Sequence, residues 1–415
     1  MNFDLLTYKH VGDKKNSEFF EEYRLKIYER RLSCGLDQLL GTMCGIVVQV
    51  ETGDAQAYLQ ELYLMSPYRF AAAYRSETHN IYVLISAARF PRMLVIEPLS
   101  AGFEDDVKRL NMVYPLARAK PNARYIGEIF HTSDKQETAK ILESHNVRFE
   151  YPGDTENSLY TLDAFLFSIP SDFTYNRVAY SDADFEDYDA LQLGSRFELS
   201  AAQMAKLEAQ AELGRQAGIH DLLTGVDHMA TRVLAGERED AILEFLTMSN
   251  YYFWGAYSIQ EMNSSTNVNR NHNVLDDKES PAKVFTANNT PSFVNSFENL
   301  PMPTEDFVRN YGRRMHHIAY EVTDGDHPSG VKNVDYVVGE LGTLGVPFLA
   351  HVVGECKDDP DLKQIFSKHS KYSLLITEYV ERCHKFKGFF TKQNVASLTA
   401  AAGNDERYDH GHVFD

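Results

Sequence analysis

The sequence predicts an α+β fold of two tandem domains, each made of two βαβββ units. Three observations predict it. The chain has 415 residues, too many for one ordinary core. Two segments 183 residues apart look alike: MSPYRFAAAY at 65–74 and MSNYYFWGAY at 248–257. Around both, the hydrophobic period changes from 2 to 3.6 and back, as a strand, an amphipathic helix and a second strand require.

The elements follow in chain order. Residues 16–40 read as helical, within an N-terminal extension, 1–40. The first domain, 41–197, opens on the β-branched strand GIVVQV (45–50), then the helix DAQAYLQELYL (54–64) and the aromatic strand at 65–74. A second unit starts at RYIGEIF (124–130), and its helix ends ILESHNVRFEY. The acidic, aromatic stretch 171–193 reads as a long loop. Ala-rich 198–218 reads as a helix, the core of a connecting segment, 198–220. The second domain, 221–402, repeats the plan. HMATRV (228–233) stands where GIVVQV stood, followed by the helix REDAILEFLT and the strand at 248–257. MHHIAYEV (315–322) stands where RYIGEIF stood, and its helix ends ELGTLGVPFLAH. In both of these later helices a Leu is followed by Val five residues on and Phe two further. Residues 391–403 read as a last helix closed by Gly403, before a polar tail, 403–415.

Composition narrows the function. Apolar residues make up 43% and charged residues 24%, as in a soluble globular protein. A net charge of −19 repels phosphate backbones, so no nucleic-acid partner is expected. No apolar run reaches membrane-spanning length, and the N-terminus lacks the apolar core of a signal peptide. Cysteines 34, 44, 356 and 383 show no CxxC spacing and read as reduced thiols of a cytoplasmic protein. The expected partner is a small molecule.

Comparing the halves locates the chemistry. His228 falls where the first half has Gly45, and His317 opens a strand whose first-half counterpart has no histidine. Aligning YSLLITEYV (372–380) with YTLDAFLFS (160–168) sets Glu378 opposite Leu166. Taken singly, a strand histidine is more often a hydrogen-bonded structural residue than a ligand, and a strand glutamate more often faces solvent. Their joint appearance in one half reverses that reading. Two imidazoles and one carboxylate are the facial donor set of non-haem Fe(II) oxygenases. The set leaves three coordination positions, enough for a chelating 2-oxo acid and O2. Neighbouring strand residues point to opposite faces. His317, followed by Ile-Ala, matches His228, followed by Met-Ala, so His317 is expected in the cavity and His316 toward the helices or solvent.

The pieces GVDHMATRV, MHHIAYEV, LKQIFSKH, LITEYVER and GFFTKQNVASL resemble, in order, those of the 4-hydroxyphenylpyruvate dioxygenase family of the vicinal oxygen chelate superfamily. The resemblance covers roughly residues 41–402, more weakly in the first half. It implies two tandem vicinal-oxygen-chelate domains, each forming an open barrel, the second closed by a C-terminal helix. It implies Fe(II) held by His228, His317 and Glu378, which are also the catalytic residues. It implies substrate contacts from Gln364, Phe366, Asn295, Phe389, Asn394, Leu398 and Ser264 or Ser265, with Ser265 taken for the pocket. The implied reaction oxidatively decarboxylates an aryl 2-oxo acid with O2 and hydroxylates the same molecule, in a homo-oligomer. The same ligands would serve a hydroxymandelate synthase type, another 2-oxo acid dioxygenase or an extradiol ring-cleaving enzyme, and the scaffold alone would serve a binding protein. Departures bear on the pocket. Phe390 stands where the family has Gly, Val395 where it has Phe, and the family's Pro-Leu-Asn strand reads Phe293-Val294-Asn295.

Overall fold

The computed structural model describes residues 3–12, 20–151, 160, 162–183, 185, 187–275, 279–356, 361–388, 390–403 and 408. The chain starts with β1 (Val11–Gly12), α1 (Glu21–Cys34) and α2 (Leu36–Leu39). The first half holds β2 (Leu40–Gln49), α3 (Ala55–Met65), β3 (Arg69–Arg75), β4 (His79–Ile85), β5 (Arg92–Pro98), α4 (Asp106–Asn111), β6 (Arg124–Thr132), α5 (Lys135–Ser144), β7 (Leu166–Phe167), β8 (Arg177–Ser181) and β9 (Ser195–Phe197). The helix α6 (Ala201–Gln216) follows, started by a capping box in which Ser200 and Gln203 satisfy each other's backbone. The second half holds β10 (Leu223–Arg232), α7 (Arg238–Met248), β11 (Tyr251–Ile259), β12 (Ser264–Asn271), β13 (Ala282–Asn288), α8 (Ser292–Glu298), α9 (Pro303–Tyr311), β14 (Arg314–Val322), α10 (Asn333–Thr343), β15 (Leu362–Phe366), β16 (Ile376–Arg382) and α11 (Lys392–Gly403).

The strands form two mixed sheets, β7-β8-β6-β2-β5-β4-β3-β9 and β1-β11-β12-β13-β10-β14-β16-β15. The N-terminal extension crosses the molecule: β1 joins the second sheet in parallel beside β11. In each sheet the opening strands of the two units pair antiparallel at the centre, β2 with β6 and β10 with β14. The first unit of each half has three strands after its helix. The second has two among the described residues, β7 and β8 or β15 and β16.

Strand alternation divides the apolar side chains between two layers. Ile46, Val48, Met229, Ile318 and Tyr379 pack with α3, α5, α7 and α10 into one core shared by both halves. The opposite faces hold smaller clusters, around Val47 and Ile129 in the first sheet and Ala230, Ala319 and Val380 in the second. A buried ion pair, Lys283 Nζ to Glu128 Oε1 at 2.7 Å, ties β13 to β6 across the halves.

Two expectations are corrected. Residues 171–193 are not simply a loop, because β8 lies within them and pairs parallel with β6. Its short alternating stretch is masked in sequence by acidic neighbours. Cys356 and Cys383 are joined in a disulfide, while Cys34 and Cys44 remain thiols. The bonded pair needs no CxxC spacing, since the β15–β16 pairing brings Leu362 opposite Arg382 and so draws the flanking residues together. The tail after Gly403 lies outside the described residues, save Tyr408. No helix among the described residues is long and apolar enough to cross a membrane.

Candidate metal centre

Three adjacent strands bring His228, His317 and Glu378 together. Ala319 of β14 pairs with His228 on one side and with Glu378 on the other, so one rung carries imidazole, methyl and carboxylate. The small Ala319 side chain leaves the gap between them open. His317 stands two residues before Ala319 on the same face of β14. The Nε2 atoms of the two histidines are 3.2 Å apart, and each lies 3.1 Å from Glu378 Oε2. All three are buried.

The repeat explains why only this half carries the set. Phe366 pairs with Glu378 as Phe167 pairs with Ala179, and both pairs are separated by 199 residues. Glu378 therefore corresponds to Ala179 of β8, not to Leu166 as the sequence alignment set it. His228 corresponds to Gly45 and His317 to Gly127. A Cβ at Gly127 would meet the Arg177 carbonyl oxygen at 2.0 Å, so that site has no room for a ligand side chain.

Hydrogen bonds aim the ring nitrogens. A bulge in β10 leaves Asp227 without a partner opposite it, and its Oδ1 accepts from His228 Nδ1 at 2.8 Å. Arg382 grips the same carboxylate through Nε at 2.5 Å and Nη2 at 2.9 Å. With its proton held at Nδ1, His228 presents a bare Nε2. On β14, His316 Nδ1 lies 2.7 Å from His317 Nδ1.

That contact corrects the expected role of His316. Met315 and Ile318 both lie in the shared core although they are three residues apart. The register slips between them: Ala230 pairs with His317 and Thr231 with Met315, which leaves His316 as the extra residue of a β-bulge. Both histidines therefore line the same cavity. His316 is 1% exposed, and its Nε2 has no hydrogen-bond partner among the described residues.

The electrostatics fit a cation. Burial works against charge on His228, but the carboxylates of Glu378 and Asp227 outweigh it and raise the imidazole to about 9. Burial likewise opposes charge on Glu378, but His228 and His317 outweigh it and hold the carboxyl at about 2. At His317 burial wins and the imidazole is lowered. Once His228 gives up its second proton, two acceptor nitrogens and a carboxylate converge on one point and need positive charge there. Donors about 2.0–2.2 Å from a metal on one octahedral face stand about 3 Å apart. The observed spacings match, so the donor set fits a divalent metal such as Fe(II).

The other expected residues divide. Gln364, Phe366 and Leu398 line the cavity with the three donors. Ser264 lines it too, whereas Ser265, one step along β12, points away and accepts from Arg238 Nη1 and from Asn267 Nδ2. Asn295 is not on a strand. It sits in α8, buried and saturated by Asn263, Thr290 and Glu305, outside the cavity lining. Asn394 fastens α11 to β15 by donating to the Leu362 carbonyl at 2.8 Å, and it too is absent from the lining. Phe389 lies outside the described residues, while Phe390 lines the cavity with its ring 4.6 Å from that of His228. Sequence reasoning missed Asp227, Arg382 and Arg232, whereas it singled out Phe390 as a departure bearing on the pocket. The Asp227-His228 dipeptide was the available signal for the first; the Arg382 contact depends on tertiary pairing alone.

No family model and no curated protein matches the chain. Solved structures do. A triple mutant of 4-hydroxymandelate synthase from Streptomyces coelicolor matches with a TM-score of 0.58 and 14% identity, over 88% of this chain and 99% of that one. A xylose isomerase-like TIM barrel/4-hydroxyphenylpyruvate dioxygenase fusion protein matches with a TM-score of 0.55 and 11% identity, over 92% of this chain and 58% of that one. The fold is the tandem vicinal oxygen chelate fold.

Proposed function

We propose that the chain is an Fe(II)-dependent dioxygenase acting on a 2-oxo acid. The observation that carries this reading is the convergence of His228 Nε2, His317 Nε2 and Glu378 Oε2 within 3.2 Å in a buried cavity. A binding protein has no need of three acceptors so arranged. One of the two similar proteins above is a fusion that includes a 4-hydroxyphenylpyruvate dioxygenase, in keeping with this reading. Fe(II) held there would supply O2 activation for decarboxylation and hydroxylation.

The chain's own residues do the rest. Asp227 and Arg382 keep His228 in the tautomer that presents Nε2. Gln364 Nε2 and Oε1 offer the cavity a polar contact for an oxo acid, and Phe366 offers a ring face, its centroid 4.8 Å from that of His317. Leu398 and Val395 of α11, with Phe390, cover the site and exclude water.

The test is coupled oxygen uptake and CO2 release. Protein loaded with Fe(II) without air is offered a panel of aryl and alkyl 2-oxo acids and catechols. One 2-oxo acid should give matched O2 use and CO2 release, lost in Glu378→Ala. Turnover of catechols without CO2, or no turnover by any iron-loaded sample, would overturn the reading.

A further inference from the structure

The strand that carries His228 also carries a buried charge that makes no ion pair among the described residues. His228, Ala230 and Arg232 share one face of β10, and all three line the cavity. Arg232 is 5% exposed. Its Nη1 donates to the Pro303 carbonyl at 3.2 Å, and the Phe307 ring centroid lies 5.0 Å from its guanidinium carbon. Both partners are neutral. Asp306 and Tyr408 act on Arg232 electrostatically, and among the described residues no ion pair joins Arg232 to a carboxylate. A buried cation without a bonded anion is costly, so its retention calls for a ligand.

The first half supplies an internal control. The residue 183 positions earlier, at the same place on β2, is Gln49. It is neutral and bonded at both ends: Nε2 donates to the Asn122 carbonyl at 3.0 Å, and Oε1 faces His79 Nε2 at 3.1 Å. The fold itself therefore needs no charge at this position. A second donor faces the same space. His316, which lines the cavity, has a buried Nε2 with no hydrogen-bond partner among the described residues. Arg232 pairs with Thr286, and both line the end of the cavity beyond Ala230, together with Thr304. Arg232 lies four positions along the strand from His228, about 13 Å between their Cα atoms.

We propose that Arg232 receives a second carboxylate at the end of the substrate remote from its 2-oxo acid, so that the substrate is a dianion. This rests on the 2-oxo acid reading above. A planar guanidinium fork, with one imidazole N–H beside it, matches a planar carboxylate. Thr286 and Thr304 supply hydroxyls around it, and Phe366 flanks the middle of the cavity.

The test is anaerobic binding to the full chain loaded with Co(II), read by calorimetry, with isosteric pairs as probes. One pair is 2-oxoadipate and 2-oxohexanoate; the other is 4-carboxyphenylpyruvate and 4-methylphenylpyruvate. In at least one pair the dianion should bind roughly ten- to a hundredfold tighter. Arg232→Gln should erase that preference and leave the monoanion's affinity within about twofold; Arg232→Lys should keep part of it. The wild-type comparison needs no variant to fold. If the monoanions bind as tightly as the dianions, or Arg232→Gln keeps the preference, this inference falls and the dioxygenase reading stands. If Co(II) binds but no 2-oxo acid does, the 2-oxo acid reading falls and takes this one with it.

Discussion

At the residue scale, the site is set by which nitrogen of each histidine holds its proton. Asp227 fixes this for His228 and His316 faces the outer nitrogen of His317. His316→Ala should weaken Fe(II) affinity by about ten- to a hundredfold without abolishing it, measured by competition with a chelator. The pH dependence follows from His228. Its imidazole is raised from 6.5 to about 9, so in the metal-free protein its stabilising contribution is full below 6.5 and is lost as pH rises through about 9. A metal must displace that proton. Calorimetry in buffers of different ionisation enthalpy should therefore show close to one proton released per metal near neutral pH, with affinity rising toward about pH 9. Metal binding to the wild type with no proton release near neutral pH would contradict this.

At the element scale, helix α11 covers the cavity and Asn394 fastens it. Asn394→Ala leaves the buried Leu362 carbonyl without that donor, and should cost about 1–3 kcal/mol in local stability. Hydrogen exchange should show α11 opening more often while Fe(II) affinity stays unchanged; a lost metal site would contradict the fastening role. The repeat units were readable in sequence because core faces keep their period: the Leu-Val-Phe spacing after α5 recurs after α10, and Phe149 and Phe348 bridge Ser168 and Ser367 alike. The three donors were readable because the first half offers no ligand in their places, even though Glu378 was set opposite Leu166 rather than Ala179. The bulge at His316 was not. A simple alternation assumes an unbroken register, and the sign of its failure was faint: apolar Met315 and Ile318 are spaced by three rather than two. Ser264 and Ser265 show the same limit, since a one-residue choice reverses the face. Asn295 was misplaced because a family strand was carried onto a segment whose local structure here is helix.

At the scale of the whole molecule, the two halves share one core, and a buried ion pair crosses it. Glu128 accepts from Lys283 at 2.7 Å and from the Tyr125 hydroxyl at 2.7 Å. Lys283→Met leaves that carboxylate buried without its cation and should destabilise the fold by about 3–5 kcal/mol in urea. Adding Glu128→Gln should recover most of the loss, because the stranded charge goes with it. A double variant no more stable than Lys283→Met would mean that the pair does not hold the halves in register. The division of labour is also set at this scale. The first sheet lacks the donors, yet its outer face completes the core on which β10, β14 and β16 are held in register.

The measurement that bears most directly on the central claim is an anaerobic Fe(II) titration of the wild-type chain and of His228→Ala, His317→Ala, Glu378→Ala and His316→Ala. One Fe(II) per chain is expected in the wild type, none at the same concentration in the first three variants, and a weaker but stoichiometric site in His316→Ala. A wild type that binds no iron, or full and tight binding in any of the first three variants, would contradict that claim.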